Sequence, residues 1–182
     1  MMDNRNEIPL RQYLWLKMDD FISSYIFPND CELVRIKYFT APIKGDVERH
    51  DRQDTYLRAL LTIPNLTIHK GLFRRDSHGQ YREKQTDVSI GFHILSDAII
   101  GSYDSIALVT GDTDQVPTLK FLHGLKSRPE IHLITPPHRT SIELAKLSDF
   151  TYQVGHHALS KNQFKNTLIG KHGKITKLTK WT

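Results

Sequence analysis

Ser105-Ile106-Ala107-Leu108-Val109-Thr110-Gly111-Asp112-Thr113-Asp114-Gln115-Val116-Pro117-Thr118 is the stretch on which the fold turns. Ile106 to Val109 is a short apolar run that reads as a buried strand. The run stops at Thr110-Gly111 and delivers two carboxylates, Asp112 and Asp114, one residue apart. A helix then begins, with Asp112 or Thr113 as N-cap and Pro117 in its first turn, where a missing N–H costs little. In open α/β sheets ligands collect at the carboxyl ends of strands. Paired carboxylates with no Lys or Arg beside them repel, and a divalent cation is the usual remedy. An Asp-rich turn that merely caps a helix is the plainer alternative.

Outward from that stretch, helices and strands alternate. Apolar positions 10, 14, 18, 21, 22 and 25 predict a helix starting at Pro9, and residues 32–40 a strand. Gly45-Asp46 opens a charged helix ending near Ile63-Pro64, residues 66–73 read as a strand, and residues 74–83 as a polar loop. Residues 86–100 read as a helix capped by Thr86, with Val88, Phe92, Leu95 and Ile99 on its apolar face. Strand 105–110, helix 114–125, strand 131–135, helix 141–147 and strand 150–154 follow. Strands separated by helices of this length imply a parallel sheet covered on both faces.

At 182 residues one domain is expected. A single cysteine, Cys31, rules out an internal disulfide and fits a reducing cytoplasm. No apolar run approaches the roughly 18–20 residues of a membrane span, and residues 1–12 are too polar for a signal peptide. The net charge of +5 is uneven, because residues 155–182 hold six lysines and no acids, leaving 19 basic against 20 acidic residues before them. That division predicts a domain over 1–154 and a basic C-terminal tail over 155–182. Lys161 and Lys165 would attract phosphate backbones by counterion release; a solvated tail aiding solubility is the alternative.

Asp87 opens the helix 86–100, and a helix–strand return can gather it with Asp112 and Asp114 at one sheet edge. Asp149, before the last strand, is a further candidate acid, although a loop acid there is more often a turn former. Carboxylates without Cys/His ligand spacing point to Mg²⁺ or Mn²⁺ and not to zinc. His93, inside an amphipathic helix, either packs or lines the site.

Taken together, Lys84-Gln85-Thr86-Asp87-Val88, His93-Ile94-Leu95, Asp97-Ala98, Tyr103-Asp104 and Thr110-Gly111-Asp112-Thr113-Asp114 resemble the NYN domain, a family of PIN-like metal-dependent ribonucleases. Lys37-Tyr38-Phe39-Thr40-Ala41, Arg52-Gln53, Tyr56-Leu57-Arg58-Ala59-Leu60 and His69-Lys70-Gly71-Leu72-Phe73 are similar to its bacterial branch. Arg139, Ser141, Glu143-Leu144 and Ser148-Asp149-Phe150 fit the family's ending. The likeness runs over residues 13–154.

The resemblance implies a three-layer Rossmann-like (PIN-like) α/β fold, a mostly parallel sheet, a Mg²⁺ or Mn²⁺ site and cleavage of RNA. Carried over, the catalytic and metal-binding acids are Asp87, Asp112 and Asp114. Thr113 and Thr110 would support them, while Lys84 and Arg139 would hold the RNA backbone. Thr110 stands where the family often has Ser, and His93 where many relatives have an acid. The family opens with a central strand ending in Asp-Gly-x-Asn-Leu. Here only Met1-Met2 precede Asp3-Asn4-Arg5-Asn6, so that strand is short and Asp3 is its candidate ligand. The expected function is a metal-dependent endoribonuclease. The alternative is a catalytically weak RNA-binding or protein-interaction module that retains the PIN-like fold; separately, a sheet lacking that strand is expected to be less stable or to fill the gap by self-association as a homo-oligomer.

Overall fold

The computed structural model describes residues 13–26, 31–75, 81–137, 139 and 141–178, without the side chains of 72–75 and 81–84. The chain is a mixed α/β structure with parallel sheets between helices. Strands β1 (Ile36–Thr40) and β2 (Leu66–Lys70) pair in parallel, with Ile36 opposite Leu66. Strands β5 (Ser105–Val109), β6 (Glu130–Thr135) and β7 (Phe150–Gln153) form a second parallel sheet in that order. Helices α1 (Met18–Ile26), α2 (Val47–Leu60), α3 (Thr86–Ile100), α4 (Val116–His123) and α5 (Ile142–Lys146) make the connections. Two antiparallel hairpins, β3 (Leu72–Arg75) with β4 (Tyr81–Lys84) and β8 (Thr167–Gly170) with β9 (Gly173–Thr176), are added to this frame.

Alternation along β6 divides the interior. Ile131 and Leu133 point into a core with Ile94, Ala98, Leu119, Leu122 and Leu144, the helices α3, α4 and α5. Ile134 points into the other core, with Phe21 and Ile22 of α1, Leu57 and Leu60 of α2, and Leu66 of β2. Successive strand side chains face opposite sides, and β6, covered on both faces, is mostly apolar, with His132 and Thr135 as its buried polar members. Caps start the helices where the sequence supplies them. The Asp46 carboxylate accepts the Arg49 N–H at 2.9 Å, and the Ser141 hydroxyl accepts the Leu144 N–H at 3.2 Å.

Several expectations need correction. The first helix begins at Met18 and not at Pro9, whose position is outside the described residues; Leu14, assigned to its buried face, is exposed. The run 74–83, expected to be a polar loop, has its described ends in paired strands, with Arg74 opposite Arg82 and Arg75 opposite Tyr81. Helix α3 spans the expected residues but faces the other way: Val88, Phe92 and Ile99 are 76%, 68% and 65% exposed, while Gly91, Ile94 and Ala98 are buried. Both stripes of α3 are apolar, and the narrow one containing Gly91 permits closer packing.

The largest correction concerns the segment expected to be a tail over 155–182, whose described residues 155–178 are folded into the domain. Helix α6 (His156–Lys161) follows β7 directly, and Leu159, Phe164 and Ile175 join the core around Trp15 and Tyr56. Phe164 meets Trp15 edge-on at 5.7 Å, the Trp15 indole N–H donates to the Lys165 carbonyl at 2.9 Å, and the Tyr56 hydroxyl donates to the Leu16 carbonyl at 2.9 Å. The domain boundary expected at 154 therefore falls inside a packed core. Among the described residues no helix is long and apolar enough to cross a membrane. Phe164→Ala should cost about 3–5 kcal/mol, read as a lower urea midpoint, and removal of 155–182 should abolish cooperative unfolding. A truncated chain with an unchanged midpoint would show that Trp15 does not depend on this segment.

Candidate metal centre

Strand β5 ends at Val109 because Gly111 brings the chain against Arg139. A Cβ at Gly111 would lie 2.8 Å from the Arg139 carbonyl oxygen and 3.0 Å from its Cβ. The Thr110 hydroxyl accepts the Asp112 N–H at 3.0 Å, and an Asp112 carboxylate oxygen accepts the Asp114 N–H at 3.1 Å. Asp112 thus caps the 3-10 turn Thr113–Gln115 that leads into α4. The cap reading and the ligand reading are compatible, since one carboxylate oxygen serves the turn and the other is left over.

Asp87 reaches the same place by a close helix contact. At Gly91 a Cβ would meet the Thr118 hydroxyl oxygen at 2.8 Å, so only glycine lets α3 approach α4 this tightly. The Gln115 side-chain amide donates to the Asp87 carbonyl at 3.0 Å, and the Thr118 hydroxyl donates back to Gln115 at 3.2 Å. Asp87, Asp112 and Asp114 consequently present one carboxylate oxygen each within 4.8 Å of one another, and all three are exposed. Helix α3 starts at Thr86 behind Gln85, which has φ +85° and makes no side-chain cap; Thr86 is therefore not the cap expected. Its hydroxyl is buried without a partner.

The remaining candidates divide. Thr110 and Thr113 sit in the acidic loop, with Thr110 bonded as above. Arg139 abuts Gly111 through its backbone and its side chain is exposed. Lys161 ends α6 and Lys165 follows it, in the part of the chain packed with α1 and α2, away from the α3–α4 contact. Asp3 lies outside the described residues, as does the side chain of Lys84, whose backbone closes β4.

Asp149 is corrected by its position. It accepts two bonds from the Arg128 guanidinium, at 2.7 and 2.6 Å, and the Ile131 N–H at 2.8 Å. Ile131 lies at the start of β6, just after Glu130, so Asp149 is at the amino edge of the parallel sheet, opposite the acidic cluster. Arg128 first, with the Ile131 amide adding to it, holds this carboxyl well below the ordinary carboxylate range against a modest opposing effect of burial.

His93 belongs to a second cluster that sequence reasoning missed. Its Nδ1 is 3.2 Å from the Lys37 ammonium, which also pairs with Asp97, and its ring centroid is 4.3 Å from that of His69. Phe39 stacks on His69 at 4.9 Å. Burial, then His93 and Lys37, push the His69 imidazole below its ordinary value; burial, then Lys37, do the same to His93. Both shifts favour the neutral imidazole. The signal available beforehand was the i, i+4 pair His93 and Asp97 on one face of the helix.

No family profile and no curated protein matches the chain. Its fold is similar to that of a protein of unknown function from Vibrio parahaemolyticus RIMD 2210633, at a TM-score of 0.58 and 16% identity, over 78% of this chain and 80% of that one. That likeness concerns the fold alone.

Gly91→Ala should cost about 1–3 kcal/mol by overpacking and should move Asp87 away from Asp112, read as a lower melting temperature together with weaker Mn²⁺ binding in calorimetry. Unchanged Mn²⁺ affinity would mean the helix contact does not set the cluster. The Asp149 ion pair contributes fully above the unfolded carboxyl value of about 3.9 and is lost as pH falls through the lower folded value. Asp149→Asn should therefore lose about 1–3 kcal/mol at pH 7 and show a shallower loss of stability below about pH 4. Urea titrations from pH 7 to 3 check both.

Proposed function

We propose that this protein is a metal-dependent endoribonuclease of PIN-like type, working with Mg²⁺ or Mn²⁺ at Asp87, Asp112 and Asp114. The observation carrying the reading is the convergence of three exposed carboxylates within 4.8 Å at the carboxyl end of β5. An oxygen-only donor set that keeps room for water suits a hard cation of that kind. When bound, such an ion supplies an activated water and neutralises charge on a phosphodiester.

The chain's own residues then divide the remaining work. Asp112 and Asp114 share the short turn that Asp112 caps, which sets the spacing of their backbones. Asp87 is fixed to them by the Gln115 bond and the Gly91 contact. Arg139, exposed beside Gly111, offers a guanidinium to a phosphate, which fixes register without reading sequence. Lys161 and Lys165 would add salt-dependent affinity for the backbone.

The exposure of all three acids supports a second reading, an RNA-binding module with little catalysis, because exposed acidic groups are common without a metal. Incubating labelled single-stranded RNA with the purified chain in Mn²⁺ distinguishes the two. Asp112→Asn should lower cleavage by at least about a hundredfold while leaving the melting temperature without metal unchanged or raised, as carboxylate repulsion is relieved. Undiminished cleavage by Asp112→Asn would overturn the assignment. Binding without cleavage by the unaltered chain would establish the second reading.

A further inference from the structure

Lys37, Phe39, His69 and His93 gather where β1 and β2 face α3. The parallel register sets Lys37 beside Thr67 and Phe39 beside His69, and alternate residues of a strand share a face. Helix α3 brings His93 and, one turn on, Asp97 to that face. The His69 and His93 ring centroids are 4.3 Å apart, and Phe39 lies against both, at 4.9 and 5.5 Å. The two histidines and Lys37 are each partly exposed, so a solute can reach them.

Hydrogen bonding fixes what these groups offer. Lys37 pairs with Asp97 and lies 3.2 Å from His93 Nδ1. An ammonium only donates, so Nδ1 accepts and the proton of the neutral His93 ring sits on Nε2. Among the described residues Lys37 and His93 make no other hydrogen bond. One ammonium N–H and the His93 Nε2–H are therefore donors without an acceptor. Charge points the same way. Lys37 and Arg35, the latter 3.8 Å from Asp97, share that one carboxylate, which leaves one positive charge in excess. After burial, it is the Lys37 charge that lowers the His93 imidazole, and an anion beside them would offset it.

We propose that Lys37, His93 and Arg35 form an anion subsite that takes the phosphate of a phosphoester, with the His69 and Phe39 rings as its wall. A metal ion does not suit the same place, because the ammonium occupies His93 Nδ1 and the other ring nitrogen carries its proton. A carboxylate ligand brings two acceptor oxygens, whereas an ammonium, an imidazole and a guanidinium together match the three of a phosphate. The subsite stands six residues beyond Asp87 on α3, about 9 Å along the helix axis. It is independent of any reaction at the acidic cluster, whose carboxylates repel phosphate when no divalent cation is present.

The test is side-chain NMR of the histidines in the full chain, free of divalent metal, as inorganic phosphate replaces chloride at constant ionic strength. The His69 and His93 resonances, identified by their loss in His69→Gln and His93→Gln, should move and saturate with a Kd in about the millimolar range or below. Adenosine monophosphate and the dinucleotide uridylyl-uridine are titrated in the same way. Tighter binding of the first assigns the subsite to a terminal phosphate, and of the second to the phosphodiester of a chain. His93→Phe keeps a ring against Phe39 and His69 but removes the donor, so phosphate affinity read at His69 should fall by at least about tenfold. Shifts that do not saturate, or that do not depend on replacing chloride, would overturn the proposal, as would undiminished affinity in His93→Phe. Saturable shifts with Zn²⁺ and none with phosphate would overturn it too, assigning the cluster to a metal.

Discussion

Everything in this molecule hangs on β6. Among the described residues it is the strand of the main sheet with neighbours on both sides, and its residues 131–135 are all buried. Ile131 and Leu133 anchor α3, α4 and α5, whereas Ile134 anchors the layer of α1 and α2. A polar substitution at any of these positions would leave a desolvated group without a partner in the region where both cores meet. The helices that carry the acids are thus positioned by a strand that contributes no residue to the cluster.

The second constraint is the Gly91 contact. Sheet topology delivers Asp112 and Asp114 to the carboxyl edge, as it does for ligand sites in doubly wound sheets generally. Topology alone does not place the start of α3 there. That requires α3 and α4 to touch at their amino-terminal ends, which a missing side chain at residue 91 and the Gln115–Asp87 bond provide. Fold and site are therefore coupled through two residues, Gly91 and Gln115, neither of which bears chemistry of its own.

How much of this could be read from the sequence varies with the range of the interaction. The strands around 105–110, 131–135 and 150–154 and the helices α2 and α3 follow from local apolar pattern and caps. The pairing of Asp112 with Asp114 is equally local. Asp149 was misread because its partner, Arg128, is 21 residues away and nothing in a loop acid announces an ion pair. The orientation of α3 was misread because Val88, Phe92 and Ile99 form as good a stripe as Ile90, Ile94 and Ala98, and only the packing at Gly91 decides between them. The segment after Gly155 was misread because its lysines are frequent while its anchors, Leu159, Phe164 and Ile175, are single residues set far apart with no periodicity.

That last segment also governs the order in which the molecule can be made. The Trp15 indole finds its acceptor 150 residues later in the chain, and Ile175 enters the same core. During synthesis, which runs from the amino end at about 5–20 residues per second, Trp15 has no complete surroundings until Ile175 has emerged. The α3–α5 side, built from residues 86–147, has no such wait and can consolidate first. Closure of the Trp15 region is then the final, non-local step, and contacts of such separation are slow to form. A nascent chain stalled before Phe164 would hold the aromatic cluster of Trp15 and Tyr56 open to solvent, which makes that cluster the part that needs protection from aggregation while it waits for residues 159–175.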